Sequence, residues 1–269
     1  MLKDITIGQY YPAFSVIHAM DPRVKFLMMI GFIVVIFLAW NIAALGLVLV
    51  FCLAVLFLSR VPVKVYLKSL KPIIPIIIFT AVLNALYIDG EVLWKWWIIE
   101  ITKEGLLRSG YVALRIIMLI LITSVLTYTT TPTQLTDAIE RVFSPLNRLK
   151  IDVHVFAMIM TIALRFIPTL IEETEKIMNA QKSRGADLET GSLLQRVRAL
   201  LPILIPLLFS AFHRAFELAD AMECRCYHGG KGRTRLKQLK CAGRDYAAIG
   251  IFLPVCAGII CASVLIPIF

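Results

Sequence analysis

Charge is scarce in this chain: 17% of its 269 residues are charged and four are histidine, while 59% are hydrophobic. That shortage excludes an ordinary soluble domain, in which about a quarter of residues carry charge. Acids are missing near the centres of the clear apolar segments, so the paired intramembrane carboxylates that mark an ion-coupled carrier are not found. No serine, histidine and acid arrangement marks a nucleophile. A phosphate loop is also lacking, because in Gly229-Gly230-Lys231-Gly232-Arg233-Thr234 the lysine is not followed directly by serine or threonine and no strand precedes it. The chain is therefore expected to have no catalytic residue, and any ATP hydrolysis belongs to another polypeptide. Six cysteines imply no disulfide framework: Cys52, Cys256 and Cys261 lie in apolar segments, and Cys224, Cys226 and Cys241 lie in a polar basic region read as reduced and cytoplasmic. Cys224, Cys226, His228 and Cys241 lack the spacing of zinc ligands, so neither metal nor cofactor is expected.

What the chain does have is apolar length. A mean hydropathy of +0.82 identifies a polytopic membrane protein. Met1 to Tyr11 lacks the basic-then-apolar layout of a cleaved signal, and the first residues are read as mature. Five spans are expected, at Val24 to Trp40, Ile42 to Ser59, Pro72 to Tyr87, Leu106 to Tyr128 and Ala247 to Pro267. The loop with Arg60, Lys64, Lys68 and Lys71 holds no acid and is read as cytoplasmic; the mixed-charge loop with Trp94, Trp96 and Trp97 suits the outer interface. The net charge of +10 flanks apolar segments and needs no nucleic acid to explain it. The run Arg233, Arg235, Lys237, Lys240 and Arg244 marks the inner side. Arg115 sits inside a span, where a charge costs about 2.5–3.5 kcal/mol, and must face the protein interior or snorkel. Its partner cannot be named from the pattern.

After Thr129-Thr130-Thr131-Pro132-Thr133 an amphipathic surface helix is expected, with Leu135, Ile139 and Val142 on one face and Asp137, Glu140 and Arg141 on the other. Two long helices follow, each closing on one arginine between small residues: Ser183-Arg184-Gly185 and Cys224-Arg225-Cys226. A lone arginine at a helix C-terminus is explained by the helix dipole. Two of them on matched ends, with Glu172, Glu173 and Glu175 upstream of one and Glu217, Asp220 and Glu223 upstream of the other, also suit docking into carboxylate-lined grooves of partner subunits. Hydropathy leaves the placement of these helices open. Val153 to Ile171 and Ala199 to Phe212 are apolar enough to cross, yet His154, Arg165, His213, Arg214 and Glu217 argue for a cytoplasmic or interfacial position.

The lead-in Gly8-Gln9-Tyr10, Pro12, Ser15, His18, Asp21-Pro22-Arg23 and Lys25, the two arginine motifs and Gly230-Lys231-Gly232-Arg233-Thr234-Arg235 together resemble the transmembrane subunit of energy-coupling factor transporters, the EcfT family, over essentially the whole chain. The second motif departs from the family's usual Ala-Arg-Gly, since cysteines flank Arg225 and the glycine cap is gone. The resemblance implies an all-α membrane protein of about five transmembrane helices plus a cytoplasmic or interfacial bundle of three amphipathic coupling helices. Residues 1–130 would hold the lead-in and four spans, 131–242 the coupling helices and 243–269 the last span. It implies a non-catalytic scaffold in a bacterial plasma membrane, with its N-terminus and coupling helices in the cytoplasm, joining two ABC ATPase subunits to a small substrate-binding membrane subunit for vitamin or micronutrient uptake. Ser183, Arg184 and Gly185 would seat in one ATPase, and Cys224, Arg225 and Cys226 in the other. A dedicated cobalt or nickel importer subunit, a seven-span secondary transporter or channel, and a purely structural membrane scaffold are the alternatives.

Overall fold

The computed structural model describes residues 10–87, 92–96, 99–145, 152–186, 193–229 and 241–265. Gly8, Gln9, Trp97 and the basic tail 230–240 lie outside them. The described residues to Ala138 and from Cys241 form one compact unit, and those from Ile139 to Gly229 form another.

In the first unit, the helices begin and end where local chemistry directs. Helix α1 (Pro22–Leu38) opens on Asp21, whose carboxylate accepts from the Arg23 backbone N–H at 2.9 Å, with Pro22 preset in the first turn. After Asn41, whose Oδ1 accepts from the Ala44 N–H at 2.7 Å, α2 (Ile42–Ser59) returns. The same Asn41 donates to the Ala262 carbonyl at 2.7 Å, tying the turn to the end of α9 (Gly243–Leu265). The segment after Arg60, expected as a loop, is instead a short helix, α3 (Val63–Leu70). It buries Tyr66 against Ser59 while Lys64 and Lys68 stay exposed, an amphipathic period short enough to pass for a basic loop. A 3₁₀ turn, Lys71–Ile73, leads into α4 (Ile74–Tyr87). Two short antiparallel strands, β1 (Val92–Trp96) and β2 (Ile99–Thr102), precede α5 (Lys103–Thr129).

The core lies where α1, α2, α5 and α9 meet, around Phe32, Ile36, Val48, Met118 and Ile259. Phe32 and Phe51 stack tilted with centroids 4.9 Å apart. Lipid is as apolar as these side chains, so the core is held by close packing more than by release from water, and polar contacts between helices carry extra weight. Arg115 makes one of them. It donates to the Ala39 carbonyl at the C-terminus of α1 and to the Tyr111 hydroxyl at 2.8 Å, with its guanidinium 4.8 Å from the Tyr111 ring centroid. The costly cation thus offsets the negative end of α1, where the Tyr111 hydroxyl also donates to the Ala39 carbonyl and the Ser263 hydroxyl to the Leu38 carbonyl at 2.8 Å.

Helix α6 (Pro132–Phe143) opens with a reciprocal cap: Thr131 Oγ1 accepts from the Gln134 N–H and Gln134 Oε1 from the Thr131 N–H. Beyond residue 152 run the two longest helices, α7 (Val153–Ser183) and α8 (Leu193–Cys224). Among the described residues six helical segments are long and apolar enough to cross a membrane, α7 and α8 among them, while α1 has 17 residues. Length and hydropathy therefore do not distinguish α7 and α8 from spans.

Candidate functional site: two arginine-capped helix ends

Helices α7 and α8 form an antiparallel pair. Glu173 accepts from the Ser210 hydroxyl and from Arg214 Nη2 at 3.0 Å, and Gln181 Nε2 donates to the Pro202 carbonyl at 3.5 Å. Of the upstream acids, Glu173 is therefore spent inside the pair. His154 Nδ1 lies 2.9 Å from Glu140 Oε1, which fastens the start of α7 to the end of α6. An apolar groove of about 300 Å³ runs between α7 and α8, walled by Phe166, Leu170, Ala215 and Met222.

The two ends share one backbone pattern. At the end of α7 the Gly185 N–H donates to the Lys182 carbonyl at 3.0 Å and the Ala186 N–H to the Gln181 carbonyl at 3.0 Å. At the end of α8 the Cys226 N–H donates to the Glu223 carbonyl at 2.8 Å and the Tyr227 N–H to the Met222 carbonyl at 3.0 Å. Both are Schellman closures, with Arg184 and Arg225 at the equivalent cap position. The left-handed residue is Gly185 (φ 87°) in one and Cys226 (φ 55°) in the other. Replacing the usual glycine by cysteine thus leaves the closure intact and charges its cost, about 1–2 kcal/mol, to Cys226. Ser183, Arg184, Gly185, Cys224, Arg225 and Cys226 are all exposed. Among the described residues neither guanidinium has an ion-pair or hydrogen-bond partner.

Antiparallel pairing sends the two tips to opposite ends. With Gln181 opposite Pro202, Arg184 stands level with Ala199. From there α8 runs 26 residues to Arg225, up to about 39 Å at 1.5 Å per residue. Sequence reading recognised both motifs but not this separation, because it follows from side-chain pairing between residues 21 to 41 positions apart.

The lead-in residues meet at one end of the first unit. His18 shares its Nδ1 with the Ser15 hydroxyl at 2.7 Å, and its Nε2 reaches the Tyr11 carbonyl at 3.0 Å. Arg23 pairs with Asp21 at 2.7 Å and lies 3.8 Å from Cys241 Sγ. Lys25 Nζ donates to the Thr129 carbonyl at 3.0 Å. Asp245, 2% exposed, accepts from the Asp21 N–H at 2.9 Å and the Ala242 N–H at 2.8 Å. Burial works to raise the Asp21 carboxyl, but the Arg23 bonds and the Arg23 and Lys25 charges outweigh it and hold it below the usual carboxylate value. The sequence reading passed over Asp245. Its signal was an acid in the first turn of a helix, placed to reach back to the preceding N–H.

This fold defines the class: a multi-pass membrane protein that is helical apart from one short hairpin. Residues 13–236 match the family described as cobalt transport protein, CbiQ, and the chain belongs to that family. It is 49% identical over 251 residues to the energy-coupling factor transporter transmembrane protein EcfT of Ruminiclostridium cellulolyticum, covering 93% of this chain and 94% of that one. To the protein so named from Clostridium kluyveri it is 48% identical over 268 residues, 98% of this chain and 97% of that one. The Bacillus subtilis protein of that name is 44% identical over 250 residues, 93% and 94% of the two chains.

Proposed function

We propose that this chain is the transmembrane subunit of an energy-coupling factor importer in a bacterial plasma membrane. It joins two ABC ATPase subunits to a small membrane subunit that binds the vitamin or micronutrient. One observation carries the reading: two exposed arginines at equivalent cap positions stand up to about 39 Å apart, which suits two separate sockets better than one. Arginine stays charged and can pair bidentately with a carboxylate in each socket. In this reading α6, α7 and α8 lie at the cytoplasmic face as coupling helices and the chain itself hydrolyses nothing. ATP-driven closure of the ATPase pair moves the anchored ends, and the stiff α7–α8 pair passes that motion to the substrate-binding partner.

Removing a charge-assisted hydrogen bond costs about 1.5–3 kcal/mol, so Arg184→Ala or Arg225→Ala is expected to weaken ATPase attachment by roughly 10- to 150-fold. The glutamate variants should weaken it further. Co-purification of ATPase subunits and uptake in cells report the effect; unchanged assembly and uptake in the double glutamate variant would refute the docking role.

The spanning length of α7 and α8 favours a second reading, a seven-span carrier with Arg184 outside and Arg225 inside. Ser183→Cys, placed in a background without other reactive thiols and treated with an impermeant thiol reagent on intact cells, separates the two. Labelling supports the carrier, and protection supports the coupling subunit. The family description, cobalt transport protein, favours a third reading, a dedicated metal-importer subunit. A co-purifying substrate subunit loaded with metal would support it, and one loaded with an organic micronutrient would exclude it.

A further inference from the structure

Between α1, α2, α5 and α9 lies a cavity of about 320 Å³ that neither the packing of the unit nor the proposed docking uses. Met28, Phe32, Phe51, Val55, Ile122 and Phe252 form its interior, and Lys25, Thr129 and Arg244 stand at one end. We propose that it holds one acyl chain of an anionic phospholipid whose headgroup meets Arg244.

Its shape fits a chain with a charged head. Lys25 is in the first turn of α1, Arg244 in the first turn of α9, and Thr129 is the last residue of α5. Phe32 lies seven residues along α1 from Lys25, and Phe252 eight along α9 from Arg244, so the apolar slot is roughly 10–12 Å deep. Water finds too few polar partners on such walls to settle there. A helix, about 10–12 Å across with its side chains, is too wide for this volume.

The charges at the mouth select the head. Arg23 is paired with Asp21, Asp245 accepts two backbone N–H groups, and Lys25 donates to the Thr129 carbonyl. Arg244 is exposed and, among the described residues, has no partner. Three cations against two carboxylates leave this end positive. Thr129 belongs to the same end of α5 as Tyr128, which packs on Tyr66 of α3, and α3 presents Lys64 and Lys68 without an acid. A basic pocket between spans on the lysine- and arginine-rich side is the kind of site that anionic headgroups occupy. The inference rests on the membrane reading and stands whether or not Arg184 and Arg225 dock to ATPases.

Native mass spectrometry of the full chain, released from nanodiscs containing equal phosphatidylglycerol and phosphatidylcholine, tests it. One phosphatidylglycerol should be retained about fivefold over phosphatidylcholine, the factor that a single arginine near an anionic headgroup supplies. Arg244→Gln should abolish the preference, and Ala248→Phe, which fills the slot, should abolish retention; Ala247→Leu replaces it if that variant elutes abnormally. Equal retention of the two lipids, wild-type retention in the slot-filling variant, or displacement of the phospholipid by oleate at equal concentration would each overturn the proposal.

Discussion

Asp245 fastens the last helix to the lead-in, and the strength of that fastening can be worked out. Its Oδ1 accepts from the Asp21 N–H and its Oδ2 from the Ala242 N–H, the residue just before α9. In Asp245→Ala the Asp21 N–H loses its acceptor where Asp21 is itself buried, which costs about 1–3 kcal/mol. Ala242 is exposed, so its N–H turns to water and only the net value of that bond, about 0.5–1.5 kcal/mol, is lost. The expected total is roughly 1.5–4.5 kcal/mol. Asp245→Asn keeps one carbonyl oxygen and loses one acceptor, for about 1 kcal/mol. Titration of the purified protein from mild detergent into SDS should rank the variants wild type, Asn, Ala. Asp220→Ala, at an exposed site, should fall within about 0.5 kcal/mol of wild type. If Asp245→Ala is no worse than this control, the clasp contributes nothing and the account of this end is wrong.

The closures of α7 and α8 predict a reciprocal pair. Cys226→Gly should slow amide exchange at position 226 and at Tyr227 by relieving about 1 kcal/mol of left-handed strain, and Gly185→Cys should speed exchange at position 185 and at Ala186 by a similar factor; no change in either would show that the closures are not what limits these ends. Burial holds His18 below its usual value, reinforced by Lys25 and partly offset by the Tyr11 and Tyr128 carbonyls. Its contribution is therefore complete above the unfolded value of about 6.5 and is lost as pH falls through the lower folded value. The loss of stability between pH 7.5 and 5 should shrink in His18→Gln, and an unchanged pH dependence would count against this assignment. At Gly105 an added methyl would stand 2.7 Å from Thr102 Oγ1 and 3.0 Å from the Ala85 carbonyl oxygen, so Gly105→Ala should cost about 1–3 kcal/mol in the SDS titration; a silent substitution would mean that α4 and α5 approach less closely.

Much of the architecture was legible because membrane helices announce themselves over a single stretch of chain. Apolar runs located α1, α2, α4, α5 and α9, while Asp21-Pro22, which starts α1, was read as part of the lead-in. The basic stretch holding α3 was misread as a loop, since a helix of eight residues offers too few turns for its period to stand out. The arginine motifs were visible as a repeated pattern. Whether Cys226 could replace glycine was not, because it depends on how a specific backbone turn accommodates a Cβ.

By itself the sequence determined that the chain is a membrane protein, where most of its helices run, and that two of them end in arginine. These are local properties, set by what neighbouring residues do together. Only the tertiary structure gave Arg115 its acceptor in Ala39, brought Asp245 to Asp21 across 224 positions, and sent Arg184 and Arg225 to opposite ends of one antiparallel pair. Each of these joins groups far apart in the chain, and the free energy that joins them comes from packing and hydrogen bonds between helices, which no single segment encodes.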